Sequence, residues 1–388
     1  MMDKGRQGLH RLNVIFLCCV FALLVWKVNA ESVTANRIAD LMNRFGVVTF
    51  SSLSNTSNPW GAEPSDFSPN SVIAAWQFLT GGSSNGLKMN FREYHYASRT
   101  SIQEIWFPQV HAATGGKFSV CLGGGADVTQ VPSLIGLATN STYTAGFIEF
   151  LEGVNEPNET PIPANQTLQA QAALYAGVQG LAGTPQPPSL ALPSVAVASI
   201  PINGSQSSYY VTANNLATIN GEGTYANIHL YPQTEVDLPS WGDANGTLAA
   251  FYTIFSQVYN NKPQIITEWH PTLYAQPSYI SLNATWDSYW TPMFILRAYL
   301  TGFQRFYWFA LFDFANEYLS GLFPRSGYDT PRQAAYVVRA MYTLTGDSGA
   351  DQLTFTTGSL DYNISGLPGP ISAGADNTGG QHELFQNS

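Results

Sequence analysis

Between residues 45 and 347, short apolar, β-branched runs alternate with longer stretches of helical periodicity, and this rhythm constrains the chain more than any other feature. The strand-like runs fall at 45–50, 87–91, 118–122, 147–154, 195–200, 225–230, 264–268 and 306–312. Helical spacing marks 69–80, 101–113, 166–181, 207–217, 247–259, 286–300 and 331–344. Alternation of this kind calls for a parallel sheet covered by helices. Eight strands alternating with helices in about 300 residues favour a closed (β/α)8 TIM barrel over an open doubly wound sheet. No Gly-x-Gly-x-x-Gly fingerprint follows the first strand, which speaks against dinucleotide binding. The barrel is expected over residues 31–347. A short C-terminal β extension is expected over 348–388, where 353–357 and 360–364 alternate like strands and 366–380 is rich in Gly, Pro and Ala. Two or three strands cannot stand alone. The extension is therefore either a flap on the barrel or a truncated β-sandwich domain.

In such a barrel, reactive groups sit where strands end and the following loops begin. Two glutamates occupy such places: Glu156 follows the run 147–154, and Glu268 closes the run 264–268. They end strands 4 and 7 by count, so they face each other across the barrel mouth. Cleavage of a glycosidic bond needs two carboxyl groups. One protonates the leaving oxygen, and the other attacks the anomeric carbon or activates water. Glu152 shares a face with Val154 and Glu156 by strand alternation. It either lines the interior, paired with Arg92 or another base, or faces a helix if the strand bulges.

Gly153-Val154-Asn155-Glu156-Pro157 resembles the Asn-Glu-Pro motif of glycoside hydrolase clan A, and Ile265-Ile266-Thr267-Glu268-Trp269 resembles that clan's strand-7 nucleophile segment. The resemblance spans roughly residues 45–347 and leaves the family within the clan open. It implies a retaining glycosidase with Glu156 as acid/base and Glu268 as nucleophile. It further implies Asn155 on the sugar 2-hydroxyl, Arg92 supporting the nucleophile, and Tyr231 of His229-Leu230-Tyr231 hydrogen-bonded to the nucleophile. Trp308 would be the aromatic floor of the sugar site. The linear pattern around Arg92 departs from the clan's usual one. Asp313 and Glu317 follow strand 8 and are either substrate contacts or solvated loop acids.

The first 30 residues read as an export signal: Lys4, Arg6 and Arg11 precede the uncharged apolar stretch 14–26, and Val28-Asn29-Ala30 resembles a cleavage site. Uncleaved, residues 14–26 would tether the protein to a membrane. Otherwise the product is secreted, extracellular or periplasmic. With the leader removed, Cys121 has no partner for a disulfide. Eight Asn-x-Ser/Thr sequons (Asn55, Asn140, Asn158, Asn165, Asn203, Asn245, Asn283 and Asn363) matter only in a glycosylating host.

Composition narrows the partners. Charged residues make up only 11% of the chain, against a typical value of about 25%, which suits contact with neutral hydroxyl-rich ligands. The net charge is −10 and the basic residues are dispersed, so no nucleic-acid footprint is present. The six histidines show no metal-ligand spacing, no cofactor motif stands out, and no Gly-x-Ser-x-Gly elbow follows a strand. The expected partner is a poly- or oligosaccharide. Two rivals use the same barrel: a non-catalytic carbohydrate-binding protein, and a transglycosidase in which a sugar hydroxyl replaces water.

Overall fold

The computed structural model describes residues 31–34, 36–50, 68–82, 87–123, 125–140, 146–158, 162–183, 187–197, 218–231, 247–270, 280–313, 320–324, 330–345, 359–362 and 385–386. Two compact units emerge. The larger runs from Arg37 to Phe355, and the smaller joins the N-terminal segment through Asn36 to 356–386.

The larger unit is a ring of eight parallel strands: β1 Phe45–Val48, β2 Asn90–His95, β3 Phe118–Leu122, β4 Ile148–Val154, β5, β6 Ala226–Leu230, β7 Gln264–Trp269 and β8 Arg305–Trp308. Strand β5 is broken into Ser189–Ala191, which pairs with β4, and Val195–Val197, which pairs with β6. Around the break, Leu192 N–H donates to Tyr225 O (2.9 Å) and Thr224 N–H to Leu190 O (2.7 Å), which draws the ring together. This is the (β/α)8 barrel that the alternating sequence predicts.

Helices cover the ring. Helix α1 (Ile38–Asn43) precedes β1. The others are α2 (Pro69–Thr80), α3 (Thr100–Thr114), α4 (Val131–Thr139), α5 (Ala164–Gln179), α6 (Thr247–Val258), α7 (Ile280–Thr301) and α8 (Gln333–Leu344). Local chemistry sets their ends. On α2, Ser68 caps the N-terminus by accepting from Ser71 N–H (3.2 Å), Pro69 fills the first turn, and Gly81 closes the helix at φ 76°. The helix expected at 207–217 lies outside the described residues.

Strands sandwiched between barrel interior and helices are buried on both faces, so β3, β6 and β7 are buried at every position. Aromatic packing ties them to the helices: Phe107 of α3 stacks on Phe118 at 4.0 Å, and Phe294 of α7 stacks on Trp269 at 3.7 Å. The interior, by contrast, holds an unusual polar set, including Arg92, Ser119, Glu152, Asn227, His229, Thr267 and Glu268, all buried.

Two register breaks aim that set. Opposite β6, Ile266 pairs with Ile228 and Glu268 with His229, so Thr267 is an extra residue. Such a bulge lets neighbouring side chains serve one side of the sheet. Between β3 and β4, Cys121 pairs with Glu152 and Leu122 with Val154, which makes Gly153 the extra residue. A Cβ on Gly153 would lie 2.2 Å from Gln171 Oε1 and 2.8 Å from Pro193 N, so only glycine fits.

In the smaller unit, Glu31–Thr34 pairs antiparallel with Ser359–Tyr362. Part of the C-terminal extension thus forms a sheet with a strand from the other end of the chain. The run 353–357 and the leader lie outside the described residues. No helix among the described residues is long and apolar enough to cross a membrane.

Candidate active site

Eight polar side chains from β2, β4, β6 and β7 and the loops behind them converge at the C-terminal end of the ring. Glu268, the penultimate residue of β7, is their hub. Its Oε1 meets Arg92 Nη1 and accepts from the Tyr94 hydroxyl, and its Oε2 accepts from the Tyr231 hydroxyl. His229 Nδ1 lies 3.4 Å from Oε2. Burial alone would raise the carboxyl's pKa. The facing His229, when its imidazole is protonated, and Arg92, with the hydroxyls of Tyr231 and Tyr94, outweigh it and hold Glu268 below the usual carboxylate range. Burial pushes both phenols well above their ordinary value, so they remain donors.

Arg92 organises the floor. Its Nε reaches both oxygens of Glu152 (3.1 and 3.0 Å), and its Nη2 donates to Asn155 Oδ1 (2.9 Å). Burial would lower its pKa, but Glu152 and then Tyr94, Cys121 and Glu268 drive it well above the ordinary value. Arg92 is therefore a fixed cation in a fully buried site. Glu152 takes the interior alternative, paired with Arg92. The neighbouring Cys121 thiol is pushed up by burial and stays protonated, which leaves it no nucleophilic role.

Glu156 stands just past β4 at φ 42°, a conformation that non-glycine residues adopt at a cost. Ser194, in the gap of β5, stabilises it: Ser194 N–H donates to Val154 O (3.1 Å), and Glu156 N–H donates to Ser194 Oγ (3.1 Å). The break in β5 thus supports the strained turn. Glu156 Oε1 lies 2.7 Å from His229 Nδ1. Its side chain keeps 21% exposure against 4% for Glu268, so one carboxyl faces the mouth and the other is enclosed.

One ligand atom each of Glu156, His229 and Glu268 lie within 4.8 Å of one another. Such a set is able to hold a cation in principle. The Glu268 carboxylate also faces Arg92 and two phenols, and Glu156 faces His229.

Six of the seven residues singled out in the sequence meet in this cluster: Glu156, Glu268, Asn155, Arg92, His229 and Tyr231. Trp308 stands apart. It pairs in register with Trp269, packs edge-on against it at 4.8 Å, donates from Nε1 to Ser320 O (3.0 Å) and is 1% exposed. Strand β8 turns it toward the helix layer, where Trp269 meets α7. The next residue, Phe309, points to the mouth instead, edge-on to Tyr231 (6.3 Å) and Phe50 (5.6 Å). Asp313 is held by Arg332 (2.6 Å) and Gly321 N–H (2.9 Å), a structural role, and Glu317 lies outside the described residues. Tyr94, Ser119, Ser194, Asn227, Thr267 and Phe309 went unnoticed in the sequence. Only Tyr94 carried a signal, since it shares the face of Arg92 two residues earlier.

No family model matches the chain, and no curated protein matches it. Solved structures do. A glucosidase from Croceicoccus marinus superposes with a TM-score of 0.53 at 11% identity, covering 82% of this chain and 70% of that one. The GH5_18 protein of Streptomyces cattleya, in complex with GlcNAc, gives 0.51 at 13% identity and covers 81% of each chain. A variant of it in complex with Manb1-4GlcNAc gives 0.51 at 13%, covering 77% and 80%. At such identities the likeness speaks to architecture alone, and the chain shares the TIM-barrel fold of these solved structures.

Proposed function

We propose that this protein is a retaining glycoside hydrolase that cleaves O-glycosidic bonds of a poly- or oligosaccharide. One observation carries the reading: the carboxyls of Glu156 and Glu268 meet across the barrel mouth with oxygens within 4.8 Å. Retaining glycosidases place their two carboxyl groups about 5–5.5 Å apart, and the close approach of one oxygen from each supports that mechanism. That structural neighbours bind GlcNAc and Manb1-4GlcNAc supports a carbohydrate substrate.

The roles follow from the environments. Glu268 is ionised and enclosed, as a nucleophile must be. Its Oε1 takes two donors, Arg92 and Tyr94, against the single Tyr231 hydroxyl on Oε2, so Oε2 attacks the anomeric carbon. Glu156, partly exposed at the mouth, gives its proton to the glycosidic oxygen as the C–O bond breaks. The result is a glycosyl ester on Glu268 and a free alcohol. Glu156, now a carboxylate, takes a proton from water. The hydroxide attacks the anomeric carbon and releases Glu268, and configuration is retained. Arg92 donates to Asn155 Oδ1, which leaves the Asn155 NH2 as the donor for the sugar 2-hydroxyl. Phe309 offers the apolar platform that the sequence assigned to Trp308. Export rests on the basic residues and apolar run of the first 30 residues.

Azide rescue tests the pair. Glu268→Ala should lose turnover and, with azide, yield the inverted glycosyl azide. Glu156→Ala should keep its first step on dinitrophenyl glycosides and yield the retained azide. Wild-type activity in both variants refutes the assignment. Acceptor sugars added to the wild type separate hydrolysis from transglycosylation.

A further inference from the structure

Glu152, Asn227 and Thr267 take no part in the steps above, yet they form an unbroken buried chain to the acid/base. We infer that Glu152–Asn227–Thr267 is a positioning relay that fixes His229 with a proton on Nε2, so that His229 exchanges its proton only through Nδ1, with Glu156.

The direction of each hydrogen bond follows from donor counting. Glu152 is fully buried and receives Arg92 Nε on both oxygens, Ser119 Oγ (2.5 Å) and Asn227 Nδ2 (3.1 Å). Arginine only donates, so Glu152 is an anion that only accepts. Asn227 must then turn its NH2 to Glu152 and its carbonyl to Thr267. The opposite rotamer would set two acceptors face to face. Thr267 Oγ1 lies 2.6 Å from Asn227 Oδ1 and spends its single proton there. At 3.0 Å from His229 Nε2, the same oxygen can only accept. Nε2 therefore carries a hydrogen in both charge states of the imidazole.

That leaves Nδ1 to face Glu156 Oε1 at 2.7 Å and Glu268 Oε2 at 3.4 Å. In the neutral imidazole, Nδ1 is a bare acceptor, and the proton between the two residues sits on Glu156. The glycosidic oxygen competes with Nδ1 for that proton. Once Glu156 has donated, its carboxylate faces that lone pair, and the attacking water supplies the proton that restores the hydrogen bond. The Thr267 bulge is what places the relay hydroxyl and the Glu268 carboxylate on one side of β7. Thr267 and Asn227 thus act through His229 without touching substrate.

This second layer rests on the reading of Glu156 as acid/base, but its geometry is testable without turnover. The experiment is long-range ¹H–¹⁵N correlation on the full chain labelled with ¹⁵N-histidine, with His229 assigned by its loss in His229→Gln. The wild type should show the Nε2–H tautomer in the neutral form. Thr267→Val should shift it toward Nδ1–H, and Thr267→Ser should restore it. A wild-type Nδ1–H tautomer, which needs no variant to fold, overturns the relay. So does a Thr267→Val spectrum identical to wild type. In kinetics, Thr267→Val should lose about tenfold to a hundredfold more on alkyl glycosides than on dinitrophenyl glycosides, because only the former need the acid. Equal loss on both overturns the positioning role. If the wild type cleaves no glycoside while the tautomer is as expected, the proposed function fails and the relay stands.

Discussion

Tyr231→Phe removes one oxygen from the hub of the site and nothing else. The ring stays packed edge-on to Phe309 and His229, so no cavity larger than a hydroxyl opens. What disappears is a donor to Glu268 Oε2. A hydrogen bond to a charged group contributes about 1.5–3 kcal/mol. At 1.36 kcal/mol per pH unit, its loss should raise the Glu268 pKa by about 1–2 units. The wild-type carboxyl is held below its usual range, so activity persists as pH falls until that depressed value is crossed. The variant should therefore lose kcat/KM at higher pH, with the acid limb moved upward. Stability follows the same sign. The depressed carboxyl contributes stability that is fully present above its unfolded value of about 4.3 and fades as pH falls through the folded value, and the variant has less of it to lose. The assay is a kcat/KM profile between pH 3 and 8, which reports the free enzyme. Tyr94→Phe, acting on Oε1, should move the limb the same way. An acid limb that stays put or moves down in Tyr231→Phe refutes the account of how Glu268 is kept ionised.

Arg92→Met should destabilise the fold by about 3–5 kcal/mol in denaturant unfolding, because Glu152 and Glu268 remain buried without their cation. Adding Glu152→Gln should recover part of the loss. Gly153→Ala should cost about 1–3 kcal/mol by the same measurement, since its Cβ collides with Gln171 and the Pro193 backbone. Ser194→Ala should cost about 1 kcal/mol through the Glu156 N–H left without its acceptor. Phe309→Ala should raise KM, whereas Trp308→Phe should lower thermal stability with little change in KM. The reverse pattern would put the sugar platform back on Trp308.

The ring of eight strands was legible because each strand is an apolar run bounded by helical spacing, and the strand-end glutamates followed from it. The run 87–91 misled, since the apolar signal stops where the barrel interior begins. β2 actually continues through Arg92, Glu93, Tyr94 and His95, and the Arg92 cation pairs with Glu152 and Glu268, both distant in sequence. The run 306–312 was read too long, because β8 ends at Trp308 and hands the mouth to Phe309. No local pattern announces the break in β5 or the bulge at Thr267. Both are cross-strand register events, and without the bulge the relay to His229 has no visible cause. Pairing of Glu31–Thr34 with Ser359–Tyr362 likewise joins segments that local sequence cannot connect.

The central claim, a covalent intermediate on Glu268, is tested most directly by intact-protein mass spectrometry after incubation with a panel of 2-deoxy-2-fluoro glycosyl fluorides. The account predicts a stable adduct of one sugar mass, mapped by peptide digestion to Glu268 and absent in Glu268→Ala. Cleavage of a natural glycan with inverted configuration, or an adduct on another residue, would contradict it.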